Sequence, residues 1–139
     1  MNVFKIIALS EGVLAFLIAG TWRWLLRQPD ASVGWRRTAS RLALAFTTLA
    51  LTCELLFASA TAHYGTQVAW NTAAWGQGQP EFAVRFLLCS FFASGPLSLC
   101  GLVLATVGKG KARVPAALWS MLVLGSFFGN LALMVNSIH

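Results

Sequence analysis

Four long stretches of the chain are almost continuously apolar, and short polar segments separate them. They run from Val3 to Leu26, from Leu42 to Tyr64, from Phe82 to Val107 and from Pro115 to Ser137. A helix rises about 1.5 Å per residue, so roughly 20 apolar residues cross a hydrocarbon core about 30 Å thick. Strands of a membrane barrel would instead alternate apolar and polar positions. The pattern therefore predicts an all-α, polytopic integral membrane protein with four transmembrane helices in an up-down bundle.

Composition favours the same class and limits what else the chain can hold. Hydrophobic residues make up 58% of the 139 residues and charged residues 10%, against about 25% charged in soluble domains. Turn-forming residues such as Pro29, Gly76, Pro80 and Gly108 fall between the apolar stretches, where helices are expected to stop. The remaining segments are short, so we expect residues 1–139 to form a single four-helix transmembrane domain.

The placement of lysine and arginine predicts how the helices are oriented. Short loops rich in these residues stay on the cytoplasmic side of a membrane. The second connection, Gly65 to Glu81, has none, and only Lys5 opposes the trend. We therefore expect both chain ends outside, N-out and C-out, in the inner or plasma membrane of a cell. The net charge of +6 then reflects topology and not nucleic-acid binding. Eight of the ten basic residues lie in or beside the first and third connections: Arg23, Arg27, Arg36, Arg37, Arg41, Lys109, Lys111 and Arg113.

Polar residues inside the apolar stretches are the candidates for function. A charge at the bilayer centre costs about 2.5–3.5 kcal/mol on insertion scales, so such residues usually have a partner, a cavity or a role. Counting residues from the outer ends of the stretches places four of them in the same half of the bilayer, one from each helix. They form a predicted intramembrane polar cluster of Glu11, Glu54, Arg85 and Asn130.

Three interpretations of this cluster remain open. In the one we prefer, Arg85 neutralises Glu54 or Glu11, or each carboxyl is protonated, and the network fixes how the helices meet. In the second, the two carboxylates share a proton, as in a proton-coupled carrier. In the third, either carboxylate faces a partner protein. Arg85 also has an alternative partner in Glu81, four residues earlier on the same helix, a favourable spacing for an ion pair.

Two glycine-containing motifs suggest special helix contacts. Proline in a helix interior removes a hydrogen bond and bends the helix, so the third stretch predicts a helix-break niche lined by Ser94, Gly95, Pro96 and Ser98. Adaptation of packing is the more common outcome of such a break. In the fourth stretch, glycines at 125 and 129 permit close backbone approach, either within one bundle or between copies.

The sequence contains none of the motifs that are typical of soluble enzymes or of metal-binding sites. The chain has no phosphate-binding loop and no nucleophile elbow, so we expect no enzymatic activity. His63 and His139 are the only histidines, and the three cysteines form no CxxC motif. We therefore expect neither a metal site nor a cofactor. Glu11 interrupts the first apolar stretch, which argues against a cleaved signal peptide.

These features predict a small non-enzymatic membrane protein. We expect an accessory, assembly or stabilising subunit of a larger membrane complex, because most residues form spanning helix and aromatic-rich connections offer contact surfaces. Its expected partners are the lipid bilayer and either other membrane-protein subunits or further copies of itself. The alternative is a small oligomeric proton- or ion-coupled carrier that uses the intramembrane carboxylates of Glu11 and Glu54.

Overall fold

The computed structural model describes residues 3–27, 34–64 and 81–136, with the side chains at 4, 61–64, 81–85 and 87 left out. Each of its four helices contains a segment long and apolar enough to cross a membrane. This confirms the all-helical class and the four predicted spans, whereas the connections at 28–33 and 65–80 lie outside the described residues. The helices are α1 (Val3–Arg27), α2 (Trp35–Tyr64), α3 (Glu81–Val107) and α4 (Arg113–Asn136).

Helix α2 begins well before its apolar stretch. It starts at Trp35, whereas the apolar stretch starts at Leu42. Gly34 precedes it with a φ of 109°, and its carbonyl accepts a hydrogen bond of 3.2 Å from the Arg37 amide. The three arginines at 36, 37 and 41 therefore belong to the first turns of a helix and not to a loop. The helix is therefore longer than its apolar stretch, because backbone hydrogen bonding continues beyond the apolar residues.

Buried positions recur every seven residues along α2 and α3. Ser40, Thr47 and Glu54 are buried on α2. A Cβ on Gly101 of α3 would collide with Thr47, and one on Gly108, directly after α3, would collide with Ser40. Seven residues are about two helical turns. Because α2 and α3 are antiparallel, each step of seven residues on one helix reaches a contact with the other helix. One further step of seven residues leads from Thr47 to Glu54 on α2 and from Gly101 to Ser94 on α3.

One of these levels, the hydroxyl layer, is formed by Thr47, Gly101 and Ser120. The Thr47 hydroxyl donates to the Ala43 carbonyl at 2.8 Å, so the Ser120 hydroxyl is the donor in the 2.6 Å bond between the two side chains. A Cβ at Gly101 would lie 2.8 Å from Thr47 Oγ1. Glycine therefore lets α3 close tightly over this pair.

The outermost helix is α1, whose buried side chains form a single stripe. Among its described side chains only Glu11, Ile18 and Leu25 are buried. Two indole hydrogen bonds of 3.0 Å attach it to the bundle, from Trp22 to Thr48 Oγ1 and from Trp119 to Thr21 Oγ1. The first helix is thus fixed by a few polar contacts and one narrow apolar seam.

Candidate functional site

A second buried polar level, the carboxylate layer, receives side chains from every helix. Glu11 of α1 and Glu54 of α2 are both 0% exposed, and Asn130 of α4 is 1% exposed. The level is completed by Ser94 of α3 and Ser126 of α4, which interact with Glu54. Two of the four acidic residues of the chain meet here. The structure thus brings together three of the four residues of the predicted polar cluster.

The fourth predicted residue, Arg85, belongs to α3, and its side chain is outside the described part of the structure. It stands nine residues before Ser94, which is about two and a half helical turns or roughly 13.5 Å along the axis. That Arg85 neutralises a glutamate therefore stays a prediction.

The Glu11 carboxylate is held on one side only. Its Oε1 accepts a hydrogen bond of 2.9 Å from the Ser126 hydroxyl and one of 2.8 Å from the Asn130 amide nitrogen. Ser126 and Asn130 are four residues apart on α4 and so lie on one face of that helix. The other oxygen, Oε2, has no hydrogen-bond partner among the described residues.

The Glu54 carboxylate is buried in the same layer as Glu11 and has no hydrogen bond of normal geometry from the described residues. It interacts electrostatically with Glu11 and with the hydroxyls of Ser94 and Ser126. The Ser94 proton is donated instead to the Phe91 carbonyl at 2.7 Å. Four buried acceptor oxygens of the layer thus lack a partner in the described part of the chain: Glu11 Oε2, Glu54 Oε1, Glu54 Oε2 and Asn130 Oδ1.

Apolar side chains close the carboxylate layer from both ends of the bundle. On one side Phe91 stacks on Phe57 with ring centroids 4.4 Å apart and lies 5.0 Å from Phe127. On the other side Ile18, Leu51 and Val123 form a buried cluster, which the sequence spacing places one or two turns from the site residues. The described side chains of the layer are therefore buried between apolar neighbours.

The electrostatics of such a layer require a positive charge. An ionised carboxylate buried without partners is costly, and a second carboxylate nearby adds repulsion. No basic group is among the described side chains that interact with Glu11 or Glu54. No group of three or more His, Cys, Asp or Glu within the described residues is arranged to hold a metal ion. Two carboxylates in such a setting can bind a proton or a cation.

The predicted helix-break residues lie partly in the same layer. Helix α3 continues through Pro96, which is exposed. The Ser94 and Ser98 hydroxyls donate to carbonyls of their own helix, the latter to Gly95 at 2.9 Å. A Cβ on Gly95 would lie 2.8 Å from the Phe127 ring. These are the contacts of close helix packing, with the aromatic ring occupying the space beside Gly95.

Sequence reasoning missed the aromatic cluster and the contacts at the basic end of the bundle. Each of Phe57, Phe91 and Phe127 stands within three residues of a carboxylate-layer residue, a signal that could have located the cluster. Arg36 Nε donates to the Val107 carbonyl at 2.8 Å, a contact across 71 residues that has no sequence signature. No protein-family model, curated protein or solved structure matches the chain.

Proposed function

We propose that the protein is a small, oligomeric, proton-coupled carrier of the membrane in which Glu11 and Glu54 bear the proton. The observation that carries the proposal is the carboxylate layer, where three of the four carboxylate oxygens lack a hydrogen-bond partner among the described residues. A proton shared between the two side chains removes one charge and supplies one donor. Release of that proton leaves the unfavourable pair again, so the site favours reversible binding.

The comparison with the hydroxyl layer argues against a purely structural role. A polar network that only fixes how helices meet is usually fully hydrogen-bonded. Thr47 and Ser120 meet that condition through their 2.6 Å bond. The carboxylate layer, one seven-residue step away on α2, does not meet it within the described residues.

Proton flux through reconstituted vesicles tests the proposal. Full-length protein is placed in vesicles that contain a pH-sensitive dye, and a pH step under a potassium–valinomycin clamp drives proton entry. We expect Glu54→Gln and the Glu11→Gln/Glu54→Gln pair to slow the flux about tenfold or more, since removing an essential proton-bearing group of this kind typically costs at least that. Glu81→Gln, at the first residue of α3, is the matched control and keeps the rate.

Two results would contradict the proposal. One is wild-type flux in the double glutamine variant. The other is a wild-type chain that moves no more protons than empty vesicles do. Arg85→Gln tests the interpretation in which Arg85 neutralises a glutamate. If it does, Arg85→Gln should be markedly less stable than the wild type, and adding Glu11→Gln and Glu54→Gln should restore the stability.

For the membrane arrangement, we propose N-out and C-out in the inner or plasma membrane. This is supported by contacts that join the two basic segments at one end of the bundle, where the Lys109 amide donates to the Arg36 carbonyl at 3.0 Å. Basic segments near short connections stay in the cytoplasm. The test uses a chain in which the three native cysteines are replaced and one new cysteine is introduced. On intact cells, we expect Ser32→Cys to resist membrane-impermeant thiol reagents and Ser137→Cys to react with them.

A second candidate function is an accessory or stabilising subunit of a larger membrane complex. The narrow buried stripe of α1 favours it, because Leu9 and Phe16 on the same helix are largely exposed. Extraction in mild detergent followed by native mass measurement distinguishes the candidates. A defined assembly that survives the double glutamine substitution favours the subunit, whereas a homo-oligomer favours the carrier.

A further inference from the structure

We propose that the carboxylate layer also binds a sodium ion, in competition with a proton, through oxygens of Glu11, Glu54 and Asn130. The inference rests on the proposed proton site and names the second cation that the same side chains accept. It would make the carrier one that couples protons to sodium.

The ligands are oxygens that the fold leaves unpartnered within its described part. They are Oε2 of Glu11, both carboxylate oxygens of Glu54 and Oδ1 of Asn130. Carboxylate and amide oxygens are the hard ligands that cations of this class prefer. They come from three helices, so a cation held between them would join α1, α2 and α4.

Asn130 is the independent sign of a ligand. Its side chain is 1% exposed, and its amide nitrogen donates to Glu11 at 2.8 Å. The oxygen and nitrogen of one amide are about 2.3 Å apart by bond lengths, so Oδ1 lies at the same site. A buried amide oxygen that has no donor among the described residues costs free energy of desolvation. A cation bound to it would recover that free energy.

Two hydroxyls can extend the coordination. Ser94 donates its proton to the Phe91 carbonyl and Ser126 donates its proton to Glu11. A hydroxyl that donates in this way still has lone pairs that can accept a cation. Up to six protein oxygens are then available to a cation, whereas Mg²⁺ usually takes only one or two carboxylates and keeps several waters.

With one proton shared between the carboxylates, charge balance selects a monovalent ion. The two carboxylates carry two negative charges when ionised, and one shared proton leaves a single negative charge. A second proton or one sodium ion neutralises that remaining charge in the buried layer. Binding of sodium should therefore release a proton, and acidification should displace sodium.

Few other titratable groups face the layer in the described part of the structure. Cys53, beside Glu54 on α2, is half-buried and interacts with it. On α3 the cysteines at 89 and 100 are exposed, and the side chain of Arg85 lies outside the described residues. The described face of α4 contributes Ser126 and Asn130, which do not titrate, and α1 contributes only Glu11. The competition is thus assigned to the two glutamates.

Equilibrium binding of radioactive sodium to the purified full-length protein tests the inference. In a potassium background we expect saturable binding at about pH 8 and an apparent affinity about tenfold or more weaker at about pH 6, as proton linkage requires. Glu54→Gln should abolish binding, and Asn130→Ala should weaken it about tenfold. Asn136→Ala, at the exposed end of α4, is the matched control and should bind as wild type.

Each outcome separates the two proposals. The pH comparison uses the wild-type chain, so it is independent of whether a variant folds. Absence of saturable sodium binding, or binding that ignores pH or survives Glu54→Gln, overturns the sodium site. Glutamate-dependent proton flux without sodium binding overturns this inference and leaves the proposed carrier intact. Sodium binding without proton flux overturns the carrier alone.

Discussion

The hydroxyl layer and the carboxylate layer belong to the same four-helix framework. They differ in whether their polar atoms have hydrogen-bond partners among the described residues. In the first, Ser120 donates to Thr47 at 2.6 Å and glycine at 101 closes the space above them. In the second, Glu11 has one bonded and one unbonded oxygen, and Glu54 has no hydrogen bond from the described residues. The two layers differ by one seven-residue step on α2.

This difference separates polar groups that hold helices together from polar groups that are ready for a ligand. A satisfied hydroxyl pair stabilises a helix contact modestly, by about 0.6 kcal/mol on average. Buried acceptors without donors instead cost about 1–3 kcal/mol each relative to a satisfied state. This contrast is the reason that we propose the function at the carboxylate layer.

Filling the hydroxyl layer should produce the largest change in stability. Gly101→Leu inserts a side chain where even a Cβ would lie 3.0 Å from the Ala43 carbonyl oxygen, which is backbone and cannot move aside. We expect a loss of about 3 kcal/mol in the free energy of unfolding, measured by denaturation in mixed detergent micelles.

The control for this substitution is Gly125→Leu. A Cβ on Gly125 meets nothing within 4 Å, so its unfolding should be close to that of the wild type. Equal losses at both glycines would show that the hydroxyl layer is not tightly packed.

Removing a carboxylate should change stability in the opposite direction. Glu54→Met keeps the length of the side chain and removes two unpartnered oxygens from a site that is 0% exposed. We expect the free energy of unfolding to rise by about 1–3 kcal/mol, in the same micelle assay at neutral pH, while proton flux is lost. A marked loss of stability would mean that Glu54 has a stabilising partner, and the contrast between the layers would fail.

A double-mutant cycle measures the hydrogen bond of the hydroxyl layer itself. Thr47→Val, Ser120→Ala and the pair together isolate the interaction across the 2.6 Å contact. We expect a coupling energy of about 0.6 kcal/mol and no more than about 1.7 kcal/mol, the range found for such bonds in membranes. Proton flux should be retained in all three variants. A loss of flux equal to that of Glu54→Gln would extend the functional site into this layer.

The smallest effect is expected at the basic end of the bundle. Arg36→Gln removes the donor to the Val107 carbonyl at the end of α3, where a cation also interacts favourably with the helix dipole. We expect a loss of about 0.3–1 kcal/mol in the free energy of unfolding, again from micelle denaturation, with Arg41→Gln as the exposed control. No difference between the two variants would show that the contact adds nothing.

The fold was largely predictable because lipid imposes a simple rule on the chain. Each spanning segment must satisfy its own backbone hydrogen bonds, so length and hydropathy fixed the four helices. The seven-residue recurrence of Glu11, Ile18 and Leu25 is also present in the sequence. The start of α2 at Trp35 was less predictable, because arginines do not prevent a helix from forming outside the apolar stretch.

Counting residues along the helices predicted which polar residues could meet, but not which way their side chains point. Counting residues placed Glu11, Glu54 and Asn130 in one half of the membrane, and they do converge in the structure. Counting could not show that Ser126 and Asn130 share one oxygen of Glu11, or that Glu54 has no hydrogen bond of normal geometry from the described residues. It also gave no sign that glycines at 125 and 129 face away from the other helices of the bundle.

The chain alone thus determined the four apolar helices and the position of each described polar residue along them, because these depend on spacing along one helix. The tertiary structure decided which oxygens have donors. That depends on helix rotation and on contacts between residues more than 100 positions apart, such as Glu11 with Ser126 and Asn130. Interhelical packing sets those rotations, and the period of a single helix does not encode them.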